Sequence, residues 1–165
     1  MNKPPLSGPS LSVSVSRSVA ASPERVYDVL SDVSRMGELS PETVRAQWTD
    51  ESDVARVGAT FRGSNRIGLL RWSTVPVVTR AEPGRAFGFD VPAPSRTSWL
   101  FELEPSPGGC RVTESMHRDG AQPMPIRVLQ RLAGVTDRAE HLRAGMTATL
   151  ERLAAVSESA ASDRV

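Results

Sequence analysis

The sequence predicts an α+β fold: a curved antiparallel sheet of about seven strands wrapped around one long C-terminal helix, with two short helices after the first strand. Three observations predict it. Apolar and polar residues alternate with period two from Leu11 to Val19 and again, run after run, from Val44 to Met116. A three-to-four-residue apolar period replaces that alternation from Val128 to Leu153. Every aromatic side chain except Tyr27 falls on the alternating runs, so the large rings sit where a bent sheet could enclose a hollow.

Leu11, Val13 and Val15 alternate with serines, and Val19 keeps the frame. Ser22-Pro23-Glu24 starts a helix: the serine caps, proline suits the first helical position, and the glutamate complements the dipole. Val26, Tyr27 and Leu30 follow at helical spacing, and a second short helix spans Ser34 to Leu39, stopped by Pro41. Val44, Ala46 and Trp48 then share one strand face, with a polar turn at Asp50 to Asp53. Ala59, Phe61, Gly63 and Asn65 share the next face. Trp72, Thr74, Pro76 and Val78 share another, although Val75 and Val77 leave that frame ambiguous. Glu82-Pro83-Gly84-Arg85 is a turn built on a fixed proline φ and a permissive glycine. Phe87, Phe89 and Val91 alternate after it, then Trp99, Phe101 and Leu103. A turn at Pro105 to Gly109 leads into Cys110, Val112, Glu114 and Met116.

The last segment is expected as a single helix of about eight turns, its stripe formed by Val128, Leu132, Val135, Ala139, Leu142, Met146, Leu150 and Leu153. Gly134 and Gly145 weaken it by ~1 kcal/mol each relative to alanine, or allow close approach to the sheet. Residues 1–10 are expected as a flexible leader and 157–165 as a flexible tail, leaving 11–156 as one domain.

Composition excludes several classes. The net charge is +1, with 20 basic and 19 acidic residues, which gives no electrostatic footprint for nucleic acid or an anionic membrane. No apolar run approaches the ~20 residues a membrane helix needs, and the first ten residues lack the apolar region of a signal peptide. Cys110 is the sole cysteine, so no intramolecular disulfide forms, and a reducing, cytoplasmic setting is expected. Lys3 is the sole lysine beside many arginines and alanines, a coding bias that suggests a bacterial source. Two histidines and one cysteine, widely separated, make no zinc site, and no calcium-loop, phosphate-loop or Gly-x-Ser-x-Gly pattern occurs. No metal or cofactor is expected, and the chain is expected as a monomer or homodimer.

Several runs carry a family resemblance: Ala21-Ser22-Pro23-Glu24-Arg25-Val26-Tyr27, Leu39-Ser40-Pro41-Glu42, Val57-Gly58-Ala59-Thr60-Phe61, Gly63-Ser64-Asn65-Arg66, Glu82-Pro83-Gly84-Arg85 and Gly109-Cys110-Arg111-Val112-Thr113-Glu114-Ser115. Together with the element order, they make residues 11 to 156 resemble the SRPBCC superfamily. This is the START-like, birch-pollen-allergen-like helix-grip fold that includes polyketide cyclases/dehydrases. The resemblance implies a seven-stranded sheet gripping the C-terminal helix around an apolar cavity. Members bind lipids, hormones or polyketides, and some are cyclases or aromatases, so fold alone does not fix the function.

Glu114 shares its strand face with Val112 and Met116, which points it inward. A carboxylate in an apolar hollow has a raised pKa and can move protons. The competing readings are an ion pair with an arginine such as Arg66, or solvent exposure after a register slip. Arg66 could instead stabilise an enolate through its fork of donors, and Asn65 could orient a hydroxyl or carbonyl. Against this, Asn65 tolerates a left-handed turn and Arg66 suits a solvated surface. Trp48, Trp72 and Trp99 could line a pocket for a flat ligand or pack in the core. The expected lining is Trp48, Phe61, Asn65, Trp72, Thr74, Phe87, Phe89, Trp99, Met116, Leu132 and Leu142. His117 has outward parity, and His141 lies on the polar side of the helix. Cys110 reads as a small packing residue.

The leading expectation is a module that holds a small apolar or aromatic molecule, lipid- or polyketide-like, between sheet and helix. The alternative is a polyketide cyclase/dehydrase-like enzyme assisting aldol cyclisation and dehydration, with Glu114 and Arg66 as catalytic residues. A third reading is a partner protein that docks through an edge strand.

Overall fold

The computed structural model describes residues 9–49 and 53–162, with side chains described as far as residue 159. Strand β1 (Leu11–Val19) is followed by α1 (Pro23–Ser31). The start of α1 is as the sequence predicts: Ser22 Oγ accepts from the Arg25 N–H at 3.3 Å, and Pro23 opens the helix. Val26, Tyr27, Val29 and Leu30 form its buried face. A 3₁₀ turn (Val33–Arg35), capped by Asp32, runs straight into the four-residue α2 (Met36–Leu39).

Eight strands follow the pattern of alternation: β1, then β2 (Thr43–Trp48), β3 (Phe61–Ile67), β4 (Leu70–Thr74), β5 (Val77–Glu82), β6 (Ala86–Val91), β7 (Thr97–Ser106) and β8 (Gly109–Arg118). They form two antiparallel sheets, one in the order β1-β8-β7-β6-β5 and one in the order β2-β3-β4. The count exceeds seven because the run from Trp72 to Val78 is two strands. It breaks before Val77, where Pro76 has no N–H to give a ladder. Trp72, Thr74 and Val78 nonetheless keep the shared inner face.

The Pro83-Gly84 turn closes with the Arg85 N–H on the Glu82 carbonyl at 2.9 Å. Val44 does not share a face with Ala46 and Trp48. A register shift between Thr43 and Arg45 turns it outward, and it is 61% exposed. The turn expected at Asp50–Asp53 lies outside the described residues except for Asp53.

The C-terminal rod is not one helix. It is α3 (Met124–Leu132) and α4 (Arg138–Ser162), with Val135 buried between them. Gly134 stands at φ +87 and ends α3, with the Val135 N–H on the Gln130 carbonyl (2.9 Å) and the Gly134 N–H on the Arg131 carbonyl (3.0 Å). That pair of bonds is the glycine-terminated Schellman arrangement. Asp137 then starts α4 by accepting the Glu140 N–H at 3.1 Å. Val128 and Leu132 therefore leave the α4 stripe and are exposed at 50% and 80%.

The other end also differs from expectation. Helix α4 continues through residues expected as a frayed tail. Ser157 is fully buried, its carbonyl accepts from Arg25 Nε at 2.7 Å, and Glu158 Oε1 accepts the Ala20 N–H at 2.9 Å. Residues 1–8 of the expected leader lie outside the described residues.

The core sits between α4, α1 and the inner sheet faces. Leu150, Leu153 and Ala154 of α4 meet Val19, Val112, Phe101 and Leu103 with Val26 and Leu30 of α1. A second group joins Leu142 and Met146 to Val13 and Met116. Among the described residues no helix is long and apolar enough to cross a membrane. At the β7–β8 turn the chain passes so close to the end of β1 that a Cβ on Gly109 would collide with the Val19 carbonyl oxygen. Gly109→Ala is expected to cost about 3 kcal/mol, because backbone rather than a mobile side chain must yield. Thermal denaturation should show this as a Tm lowered by roughly 10 °C.

Candidate functional site

The N-terminal half of α4 meets the sheet through Leu142 and Met146, which pack on Val13 and Met116, but does not fill the space beside that contact. It leaves a cavity of about 420 Å³, within the roughly 300–1,000 Å³ of small-molecule sites. Its inner wall is mostly apolar: Leu30 and Leu39 from the helices, Phe61, Phe89, Trp99 and Phe101 from the strands, and Leu142 and Met146 from α4. Trp72 and Leu70 from the β3–β4 hairpin form one side of the mouth. Pro94 and Ser95, between β6 and β7, form another. Ile126 and Leu129 of α3 lie across it.

The rings on the wall pack in a relay. Phe61 and Phe89 meet edge to face at 5.3 Å, and Phe89 stacks on Trp99 at 6.5 Å with 21° between planes. Trp99 Nε1 donates to Thr97 Oγ1 at 3.3 Å, which fixes the indole.

Of the thirteen lining and catalytic residues expected at the site, Phe61, Asn65, Trp72, Thr74, Phe89, Trp99, Met116, Leu142 and Glu114 line the hollow. Four do not. Trp48 packs edge to face on the far side of Phe61 at 5.8 Å. Phe87 shares the inner parity of Phe89 but is fully enclosed in the packed end of the core. Leu132 points to solvent because α3 ends there. Arg66 is exposed, one residue out of phase with Asn65, so the strand pleat carries it to the outer face. It can hold no enolate in this cavity and forms no ion pair with Glu114.

Asn65 is not a turn residue. It lies within β3 opposite Trp72, and Thr43 Oγ1 donates to its Oδ1 at 2.9 Å, which presents the amide to the cavity. Glu114 comes from β8 between Val15 of β1 and Phe101 of β7. It is 2% exposed, and its Oε2 has no hydrogen-bond partner among the described residues. Burial alone pushes its carboxyl well above the usual carboxylate range, so the neutral acid is the favoured form.

Glu42, Arg138 and His141 were not anticipated as a group. Glu42 Oε1 takes Arg138 Nη1 at 3.0 Å and His141 Nε2 at 2.9 Å, tying the loop before β2 to the start of α4. His141 is thus engaged rather than simply solvated. Arg118 also lines the cavity, and its parity with Glu114 and Met116 on β8 was the available sign. Burial, and then the Arg138 charge, holds the Arg118 guanidinium below its usual value. His117 does point outward, between Ser12 Oγ (2.7 Å) and Asp119 Oδ1 (2.8 Å). Cys110 is fully buried, and that burial, followed by the Glu24 charge, pushes its thiol up, which leaves it a packing residue rather than a nucleophile.

The family model described as polyketide cyclase / dehydrase and lipid transport matches residues 10–158. The chain is 30% identical to the polyketide-cyclase-like protein Cgl2372 from Corynebacterium glutamicum. The solution structure of that protein matches with a TM-score of 0.60 over 94% of this chain and 96% of that one. The di-domain ARO/CYC StfQ from the steffimycin biosynthetic pathway matches at a TM-score of 0.72 and 16% identity, over 93% of this chain and 52% of that one. The major latex-like protein 151 of Panax ginseng matches at 0.68 and 9% identity, over 91% of this chain and 99% of that one. At such identities the last two show the fold alone, the helix-grip arrangement. No curated protein sequence matches the chain.

The buried acid makes stability depend on pH with a definite sign. The folded state accommodates the neutral carboxyl, so its contribution is fully present below the unfolded value near 4.5 and is lost as pH rises through the raised folded value. Glu114→Gln removes the ionisable group and keeps the shape. Its Tm is expected to match the parent at pH 4 and to exceed it at pH 8, as followed by thermal denaturation across that range.

Proposed function

The chain belongs to the polyketide cyclase/dehydrase and lipid transport family, and on that premise we propose that it binds a small apolar or flat aromatic molecule, lipid- or polyketide-like, in the hollow between the sheets and α4. The observation that carries this reading is a cavity whose inner wall is mostly apolar and into which polar groups such as Asn65, Thr74 and Glu114 are set. Affinity would come from apolar burial at roughly 25 cal/mol per Å², and orientation from the amide that Thr43 holds in place.

Native mass spectrometry of the protein purified from its own host should show an added small-molecule mass. Gly63 gives the cavity-blocking control. It faces the hollow in β3, and a Cβ there would meet Thr74 Oγ1 at 3.4 Å, an ordinary contact. Gly63→Val should therefore fold, fill space and lose the added mass, with affinity for the released compound falling about tenfold or more. Unchanged binding in that variant would place the ligand elsewhere.

Glu114 supports a second reading, an enzyme of the cyclase/dehydrase kind. A neutral carboxyl in a dry site can give its proton to a departing hydroxyl, which leaves as water. The carboxylate then takes the α proton, which completes the elimination and restores the acid. Arg66 has no part in such a step. If the co-purifying compound is a polyketide, Glu114→Gln should lower its turnover by about a hundredfold or more while the bound mass persists. Turnover that survives this substitution would remove Glu114 from the chemistry.

A further inference from the structure

A second space of about 350 Å³ lies beside α3. Arg118, Gln122, Gln130 and Arg138 line both it and the apolar hollow, so the two adjoin. The second space has a different chemistry. Arg118, Arg127, Arg131 and Arg138 converge on it, and among the described residues no aspartate or glutamate lines it.

The nearby acids act elsewhere. Glu42 meets Arg138 from the side of the apolar hollow. Asp137 accepts the Glu140 backbone N–H, and Glu140 is exposed on the first turn of α4. Among the described residues Arg118 donates through its Nε alone, to the Gly120 carbonyl at 3.1 Å. Arg138 Nε is buried with no partner among the described residues. Four guanidinium groups line one space, Arg118 lies within the field of Arg138, and one buried donor is unanswered, which makes an anion the missing member of the site.

We propose that this arginine-lined chamber is a headgroup site, and that the chain's ligand is an amphiphile with its apolar body in the main hollow and a terminal carboxylate or phosphate among Arg118, Arg127, Arg131 and Arg138. The inference rests on the reading of the main hollow as a ligand site and adds the polarity of the ligand. Guanidinium forks suit both anions, because each offers two or more oxygens in one plane. The break between α3 and α4 creates the chamber: it swings Arg127 and Arg131 of α3 round to face Arg138 at the start of α4.

Three probes of one chain length separate the possibilities: decanol, decanoate and decyl phosphate, titrated calorimetrically at pH 8. Both anions are expected to bind about tenfold or more tighter than the alcohol. Added salt should narrow the gap. Whichever of carboxylate or phosphate binds tighter identifies the headgroup. In the double variant Arg127→Gln/Arg131→Gln, both exposed on α3, the anion-to-alcohol ratio should fall close to one. Arg17→Gln/Arg111→Gln removes the same charge from exposed positions on β1 and β8 and should keep the ratio. Equal binding of all three probes, or a ratio lost equally in both double variants, overturns the headgroup site and leaves the hollow as a ligand site. Binding of none of the three overturns the hollow as a site for apolar chains as well.

Discussion

Helix α4 and the bent sheet are each other's cover. The helix side that carries Leu142, Met146, Leu150 and Leu153 and the sheet face that carries Phe101, Leu103, Val112 and Met116 are both apolar. Neither can face water without losing roughly 1.5–3 kcal/mol per large side chain. The cover is uneven. The C-terminal half of α4 packs directly against β1, β7, β8 and α1, so that Leu153 and Val112 are wholly enclosed. The N-terminal half meets Val13 and Met116 through Leu142 and Met146, and the hollow lies beside that contact, where Gly145 and Thr149 line it. Helix α1 and the core supply rigidity at one end, and the opening at the other follows from the same contact.

Glu114 stands at the boundary between the two regimes. Strand parity puts Val112 in the packed end, Met116 in the hollow, and the carboxyl between them. Water is excluded from it, and no arginine approaches to compensate, since Arg66 lies on the opposite face and Arg138 is taken by Glu42. The molecule resolves this by holding the group neutral rather than by pairing it, the response expected of an isolated carboxyl in an apolar site.

Most of the architecture was legible because strand alternation and the Ser22-Pro23 helix start are local signals that tertiary structure reinforced. The C-terminal segment misled because its three-to-four spacing continues across Gly134 to Asp137. The local chemistry there, a glycine followed three residues later by a capping partner for α4, outweighs the stripe. The site was legible in part for a related reason. Parity tells which side chains face inward, and it correctly separates Glu114 from His117. Applied to Asn65 and Arg66, the same rule would have set them on opposite faces. It also admits Arg118, which shares the parity of Glu114 and Met116. Parity cannot tell how deep along the strand the hollow ends, which is why Phe89 lines it and Phe87 does not.

The division of the strands into two sheets bears on how the hollow adapts. Near the junction the start of β3 is stitched to the start of β5, with the Gly58 N–H on the Val78 carbonyl (2.8 Å), the Val78 N–H on the Ala59 carbonyl (2.8 Å) and the Phe61 N–H on the Pro76 carbonyl (3.2 Å). Apart from these bonds the two ladders share no rungs among the described strands. The wall is therefore two stiff panels joined along a short hem. Spreading the panels would keep every rung within each of them, so widening the hollow asks for a change of dihedral angle at the hem, not for compression of close-packed side chains.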